Sequence, residues 1–338
     1  MTGDSGSVLP STIRALLQPR AYPHKPPRIE LIQTQMSFVF LTGEYAYKVK
    51  KPVNLGYLDY TTLEKRRFFC LQELELNRRL CPDAYLAVVP ITEENGAFHV
   101  GGQGEAKEYA VKMRQLPQER MLDRLLVRRQ VTPEMVAKVA ERLVSFHRTA
   151  ETNPEVGAFG RLEAVRGNCD ENFAQTERYI GISITAEEYR EIKSYTIDFL
   201  EGNAALFDER IRGGRIRDCH GDLHAAHVCF TDHICIYDCI EFNDRFRYCD
   251  VASELAFLAM DLDRYREPGL SQSLVNTYVE SSRDEELMKL LAFYKCYRAY
   301  VRGKVESFKL DDKYIPAEEK SRIMAVARGY FELAKSYI

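Results

Sequence analysis

The sequence predicts an α+β chain in two parts: a small, antiparallel β-rich lobe with one long helix, then a larger, mainly helical lobe. Three observations carry this expectation. Residues 29–115 read as strands interrupted by a single helical run. The text after Leu116-Pro117 turns to helical periodicity. Turn and cap residues punctuate both parts where the pattern changes.

The lead-in, residues 1–27, holds several prolines and glycines and reads as loose. Strands follow in "IELIQT" and "SFVFLTGEYAYKVKK", with "QMS" as a tight connection and "TGE" as the turn of a second hairpin. Phe38, Phe40, Tyr45 and Tyr47 supply the bulky side chains that strands favour. Thr61-x-x-Glu64 has the form of a capping box and opens the helix "TTLEKRRFFCLQELELNRRL", which must end before Pro82. "AYLAVVPI", "ITEENGAFHV" and "EYAVKMRQL" return to strand, and Asn95-Gly96 is a strong short hairpin signal.

In the second part, Thr132 is placed to cap a helix with Pro133 at its first position. Val136, Val139, Ala140, Leu143, Val144 and His147 share one face of that helix. Further helical runs are "ENFAQTERYI", "TAEEYREIKSYTIDFLEGNAALF", "DVASELAFLAMDLDRY" and most of 271–338. Between them, "HVCF" and "ICIYD" read as two short strands around the turn "TDH". The domain plan is therefore a lead-in over 1–27, an N-lobe over 28–115 and a C-lobe over 116–338.

The totals exclude several classes. A net charge of −3 with no dominant Lys/Arg block speaks against general nucleic-acid binding. The opening residues lack a signal-peptide layout, and no apolar run is long enough to span a bilayer. The nine cysteines are odd in number and form no C-x-x-C pair. Reduced thiols in a cytoplasmic protein are the expectation, with Cys235 a small buried hydrophobe.

Four of the seven histidines fall in "DCHGDLHAAHVCFTDH". His220, His224 and His227 would share a helical face and could hold zinc. Gly221 and the absence of H-E-x-x-H favour a loop instead. His220 would then brace the loop, His224 would pack, and His147 would be a satisfied core residue.

Phosphoryl transfer to a hydroxyl needs a carboxylate at the acceptor and a second one at the metal. It also needs a lysine on the phosphates and an acid that positions that lysine. The sequence offers Asp222 in His220-Gly221-Asp222, and Asp238 at the end of the second short strand. A two-strand excursion that folds back could return both to one site. Lys48 lies in "YAYK", with Lys50 on the same strand face as its alternative. Glu73 and Glu75 lie on the helix that follows.

"CHGDLHAAHVC", "YDCIEFNDRFRYCDVASELA" and "YAYKVKKPVNLGYLDYTTLEKRRFFCLQELELNRRL" resemble the aminoglycoside phosphotransferase family over roughly residues 30 to 310. The likeness is strongest to the branch often fused to a P-loop kinase-like domain; no G-x-x-x-x-G-K-[ST] occurs here. The resemblance implies a two-lobed, protein-kinase-like fold, ATP or GTP as co-substrate, Mg²⁺ or Mn²⁺, and a small-molecule hydroxyl acceptor. It implies Asp222 as catalytic base in a loop over 218–230, and Asp238 as metal ligand in a segment over 234–250. Lys48 would touch phosphate, with Glu73 as its partner and Glu75 in reserve. Asp250 would brace the catalytic loop. Val111, Met113 and Gln115 in "VKMRQ" would form the hinge that meets the base. Ser37 in "TQMSF" would help cover the phosphates with its hydroxyl.

One position departs from the family. Its metal-binding Asn is His227 here, and a hard cation prefers oxygen. Either Mn²⁺ is favoured or Glu241 supplies the oxygen. The departure also motivates the alternative of a non-catalytic, kinase-fold binding module; a zinc hydrolase is the third reading. Asp244, Arg245 and Arg247 would shape the acceptor pocket or pair with one another.

Overall fold

The computed structural model describes residues 9–312 and 315–338. They form two compact units, one of residues 9–118 with 231–243, the other of residues 119–230 with 244–312 and 315–338. No helix among the described residues is long and apolar enough to cross a membrane.

The first unit is built on a six-stranded antiparallel sheet. Its strands are β1 (Glu30–Gln33), β2 (Ser37–Leu41), β3 (Tyr45–Lys50), β4 (Tyr85–Glu94), β5 (Ala97–Val100) and β6 (Ala106–Arg114). They lie in the order β1-β2-β3-β6-β4-β5. The β4–β5 turn is carried by Asn95 and Gly96, both at positive φ, as an Asn-Gly hairpin requires. Strand alternation puts Phe38, Phe40, Tyr47 and Val49 on one buried face, in register as Phe38↔Val49 and Phe40↔Tyr47. Ala46, Lys48 and Lys50 take the other face.

The apolar face is closed by the residues just before the sheet. Ser11–Ala15 is a short helix, and Ile13, Leu16, Ala21 and Tyr22 are buried against Phe38, Phe40 and Tyr47. The expected loose lead-in is thus corrected from residue 9 onward; residues 1–8 lie outside the described part. The cause is aromatic and aliphatic burial: Tyr22 sits 5.1 Å from the Tyr47 ring and donates to the Leu16 carbonyl at 2.8 Å.

The long helix of this unit runs Leu63–Arg78. Its N-cap is Thr62, which accepts from the Lys65 N–H, and not Thr61. Thr61 instead donates its hydroxyl proton to Asp59 at 2.6 Å, so the N-cap lies one residue later than expected, and with Lys65 at the third helical position the capping box does not form. Just beyond the helix, Cys81 is bonded to Cys235 as a disulfide. The all-reduced expectation is corrected here: 154 residues of sequence separate a pair whose Cα atoms the fold brings to 4.6 Å.

The second unit is helical. Pro133–Thr149, Leu162–Thr176, Ala186–Gly202, Val251–Arg264, Pro268–Ser282, Leu287–Phe308 and Ala317–Lys335 are its longer helices. Thr132 caps the first of these and Pro133 opens it, as expected. Val251–Arg264 is the central one, buried from Val251 to Leu262. A short pair of antiparallel strands, Ile216–Asp218 with Tyr248–Asp250, leads into the histidine-rich loop.

Candidate active site

The polar face of β3 meets the helix Leu63–Arg78 through charge. Lys48 Nζ lies 2.9 Å from Glu73 Oε1 and 2.6 Å from Asp238 Oδ1. Lys50 Nζ lies 2.6 Å from Glu73 Oε2 and bonds Glu241 Oε1 more closely still. Tyr60 donates its hydroxyl proton to Glu241 Oε1 at 2.6 Å. Both lysines, alternatives in the sequence, therefore share Glu73, while Glu75 is exposed.

Exposure separates the two lysines. Glu73 and Lys50 are 0 % and 1 % exposed at the side chain; Lys48 is 15 % and Asp238 40 %. Burial opposes the charge on both ammonium groups. Asp238, Glu73 and Glu241 nevertheless hold Lys48 well above its ordinary pKa, and Glu241 and Glu73 do the same for Lys50. Burial would raise the Glu241 carboxyl, but Lys50 and Lys48 bring it below its ordinary value.

The Asp238 backbone sits in the left-handed region, φ 63°. Aspartate tolerates that region better than most residues. The segment is held there by neighbours of the same unit. The Asp238 N–H donates to the Tyr85 hydroxyl at 3.2 Å, and the Cys239 N–H donates to Asn77 Oδ1 at 2.9 Å. Asn77 in turn donates to the Glu73 carbonyl at 2.8 Å. The Cys81–Cys235 bond adds a covalent tie three residues before Asp238.

Asp238 offers an accessible hard oxygen and fits a Mg²⁺ ion. Glu241 fits less well, because its Oε1 already takes Lys50 and Tyr60. Ser37 does not present its hydroxyl: it is 2 % exposed, and its N–H donates to Thr34 Oγ1 at 3.0 Å. The hinge expectation shifts as well. Val111 and Met113 lie inside β6, paired with Lys48 and Ala46 on one side and Val88 and Tyr85 on the other. Their backbone groups are committed to the sheet. Gln115 lies just past the strand, donating its N–H to the Glu44 carbonyl at 3.0 Å.

In the second unit, His220 to His227 is a loop closed by a short 3₁₀ turn at Ala225–His227. The shared helical face of the zinc reading does not form. Gly221, at φ 87°, makes the sharp bend that precedes Asp222. The bend is pinned by Glu254. Its carboxylate accepts the His220 N–H at 2.8 and 3.0 Å and the Gly221 N–H at 2.7 Å. The same carboxylate meets His147 Nε2 at 2.9 Å, and His147 Nδ1 meets the Tyr278 hydroxyl at 2.7 Å. Burial would raise the Glu254 carboxyl; the bond from His147, the charges of His147 and His220, and the loop N–H bring it down to about 2. Sequence reading missed Glu254. Its signal was a lone acid inside "VASELAFLAM", a helix apolar on every side.

Asp222 is 33 % exposed at the side chain. Its N–H donates to His220 Nδ1 at 3.3 Å, and its carbonyl accepts from His227 Nδ1 at 2.8 Å. His224 Nδ1 accepts the Ala226 N–H, so its Nε2 carries the proton and faces Asp222 Oδ2 at 3.6 Å. His224 therefore addresses the carboxylate and is more than packing. Burial opposes ionisation of Asp222, but His224, His227 and Arg302 hold its carboxyl well below the usual range. His227 Nδ1 is spent on the loop backbone.

Asp250 caps the helix Val251–Arg264 through the Ala252 N–H at 2.8 Å. It also receives Arg210 at 2.9 and 2.7 Å, in a buried pair that extends to Asp284. Asp250 ends the strand paired with Ile216–Asp218, which leads into the histidine-rich loop. Arg247 pairs with Asp244 at 2.7 Å and with Asp218, while Arg245 reaches Asn168 and Glu171.

No protein-family model matches the chain. Uncharacterized proteins of Mycobacterium tuberculosis and Mycobacterium bovis are 33% identical over 281 residues, which is 83% of this chain and 55% of those proteins. The chain thus spans about half the length of the curated relatives it matches. A choline/ethanolamine kinase family protein from Mesorhizobium loti aligns at TM-score 0.51 and 13% identity, covering 96% of this chain and 98% of that one. An ethanolamine kinase of Plasmodium vivax aligns at TM-score 0.50 and 9% identity, covering 92% and 83%. The chain therefore has the protein-kinase-like fold of these choline/ethanolamine kinase proteins, the fold that its resemblance to the aminoglycoside phosphotransferases implied.

Proposed function

We propose that this chain is a small-molecule kinase that transfers the γ-phosphate of ATP or GTP to a hydroxyl group. The observation that carries the reading is the Lys48 ammonium, held at once by Glu73 and by the accessible Asp238. A lysine on a strand, a glutamate on the following helix and an aspartate after a short strand are the phosphate-handling parts of this chemistry. The names of the fold neighbours, kinases of choline and ethanolamine, agree with an alcohol acceptor.

In this reading Lys48 leaves Asp238 for phosphate oxygens when nucleotide binds, and Glu73 keeps it aimed. Asp238 would hold the metal ion, which when bound would supply charge to offset that developing on the transferred phosphoryl group. Asp222 receives the acceptor hydroxyl. A carboxyl held so far below its usual range is a weak proton acceptor in the ground state. That suits a loose transition state, where the carboxylate orients the hydroxyl first and takes its proton late. His224 and His227 keep that carboxylate ionised.

The deciding test is calorimetric binding of ATP and GTP with Mg²⁺, Mn²⁺ or EDTA, on the wild type and on Asp238→Ala. We expect metal-dependent binding that Asp238→Ala weakens at least tenfold. Binding indifferent to metal and to Asp238 would remove the basis of the reading. One observation favours a second reading, a non-catalytic binding module: His227 stands where the family has a metal-binding Asn, and its Nδ1 is spent on the Asp222 carbonyl. That module would bind nucleotide without metal and turn over no acceptor.

A further inference from the structure

Lys50 is the larger puzzle of the first unit. It lies on the same face of β3 as Lys48 and contacts the same glutamate, yet its side chain is 1 % exposed. Its ammonium is enclosed by Glu73 Oε2, Glu241 Oε1 and the ring of Tyr60, whose centroid is 4.9 Å away. Such a lysine has no route to a phosphate. What it touches is informative instead: one carboxylate on the helix Leu63–Arg78 and one three residues after Asp238.

We propose that Lys50 is a positioning residue: its ammonium, clamped between Glu73 and Glu241, ties the helix Leu63–Arg78 to the segment that carries Asp238. The proposal rests on the phosphotransferase reading for its consequence, and on geometry for the clamp itself. Two cations, Lys48 and Lys50, face three anions, Glu73, Glu241 and Asp238. Once phosphate oxygens share the Lys48 ammonium, Glu73 would stand as a fully buried carboxylate with only part of one cation, a costly state in a low-dielectric interior. Lys50 removes that cost, because its contact with Glu73 does not depend on Lys48. The helix then stays docked in the presence and absence of nucleotide. Lys48 and Asp238, the two more exposed members, are left to exchange partners. Glu241 in this account is the far jaw of the clamp and not a metal ligand. Tyr60 holds that jaw from its other side. The Asn77 bridge to the Cys239 N–H runs parallel to it.

The test is hydrogen–deuterium exchange and Mg²⁺-ATP calorimetry on Lys50→Met and on Lys50→Met/Glu241→Gln. The first variant leaves two buried carboxylates facing one another. The second restores the net charge of the cluster. For Lys50→Met we expect amides of residues 63–78 and 238–243 to exchange at least tenfold faster while the second unit is unchanged. We expect Mg²⁺-ATP affinity to fall at least tenfold. The double variant should recover threefold or more in both readouts. Should Lys50→Met not fold, Tyr60→Phe reads the same clamp more gently, with a two- to threefold rise in exchange over 238–243. Unchanged exchange in either single variant overturns the clamp. So does a lost affinity that Glu241→Gln does not rescue, which would make Lys50 a phosphate ligand, or a Glu241→Gln variant whose one effect is a raised Mg²⁺ requirement. The exchange arm needs no nucleotide. A wild type that binds none, with the expected exchange pattern, would therefore refute the phosphotransferase reading and leave the clamp standing.

Discussion

In the first unit, Glu73, Glu241 and Asp238 are met by two lysines and a tyrosine. In the second, Glu254 is met by backbone N–H groups and His147, and Asp222 has two imidazoles and a guanidinium around it. Both units hold carboxylates ionised, but by different means. An ammonium on a four-carbon stem can change partners without moving the backbone. A backbone N–H can release its carboxylate only if the loop itself moves. The first arrangement suits a site that must receive a charged ligand and let it go. The second suits a loop that must keep one carboxylate in one place. The contrast also sets what each unit should lose when a charge is removed.

The largest effect should follow from Asp222→Asn. The side chain keeps its shape and loses its ability to accept a proton. Positioned general-base catalysis contributes roughly 10² to 10⁴-fold, which is about 3–5 kcal/mol in the barrier. Single-turnover kinetics should show that loss, while nucleotide affinity, a property of lysine and metal contacts, stays within about twofold. Turnover near the wild-type rate would mean that the loop carboxylate does something other than receive the acceptor.

Glu254→Gln should come next, and its effect is on stability with a defined pH dependence. The folded-state carboxyl lies at about 2 against an ordinary 4.5. A depressed carboxyl stabilises the fold above its unfolded pKa, and that contribution is lost as pH falls toward the folded value. The wild type should therefore exceed the glutamine variant by roughly 3 kcal/mol at neutral pH. The gap should narrow between about pH 4.5 and pH 2. Urea denaturation across that range measures it. A gap that does not vary with pH would show that the Glu254 charge is not what pins the loop, and the contrast between the units would weaken.

Much of this architecture could be read from the chain, for reasons that differ by residue. The alternation of β3 put Lys48 and Lys50 on one face because the strand period is two. The two short strands Val228–Phe230 and Ile234–Ile236 were legible because a turn separates two apolar runs. Sequence could not rank the lysines, since their difference is burial, and burial depends on what Glu241 and Tyr60 bring from afar in the chain. Val111 and Met113 were legible as strand residues, but the sequence did not show that β6 is paired on both sides at these positions. Ser37 was read at the start of a strand, where β2 does begin, but its inward turn is a matter of packing that the sequence does not mark. The Cys81–Cys235 pair left no mark in sequence, because no local spacing foreshadows a contact across 154 residues.

The smallest effect discriminates between local and distant control of the same helix. Thr62 caps the helix that carries Glu73, and losing such a cap typically costs about 1 kcal/mol. Thr61, the cap expected from sequence, bonds Asp59 instead. Thr62→Ala should therefore lower the unfolding midpoint of the first unit by more than Thr61→Ala does. Yet Glu73 lies three turns from the cap and is held by two ammonium groups. Fraying of the first turn should not reach it. Nucleotide affinity of Thr62→Ala is accordingly expected within twofold of the wild type. A larger loss would mean that the helix is positioned from its N-terminus and not by the lysines. The ammonium contacts would then follow the helix position instead of setting it.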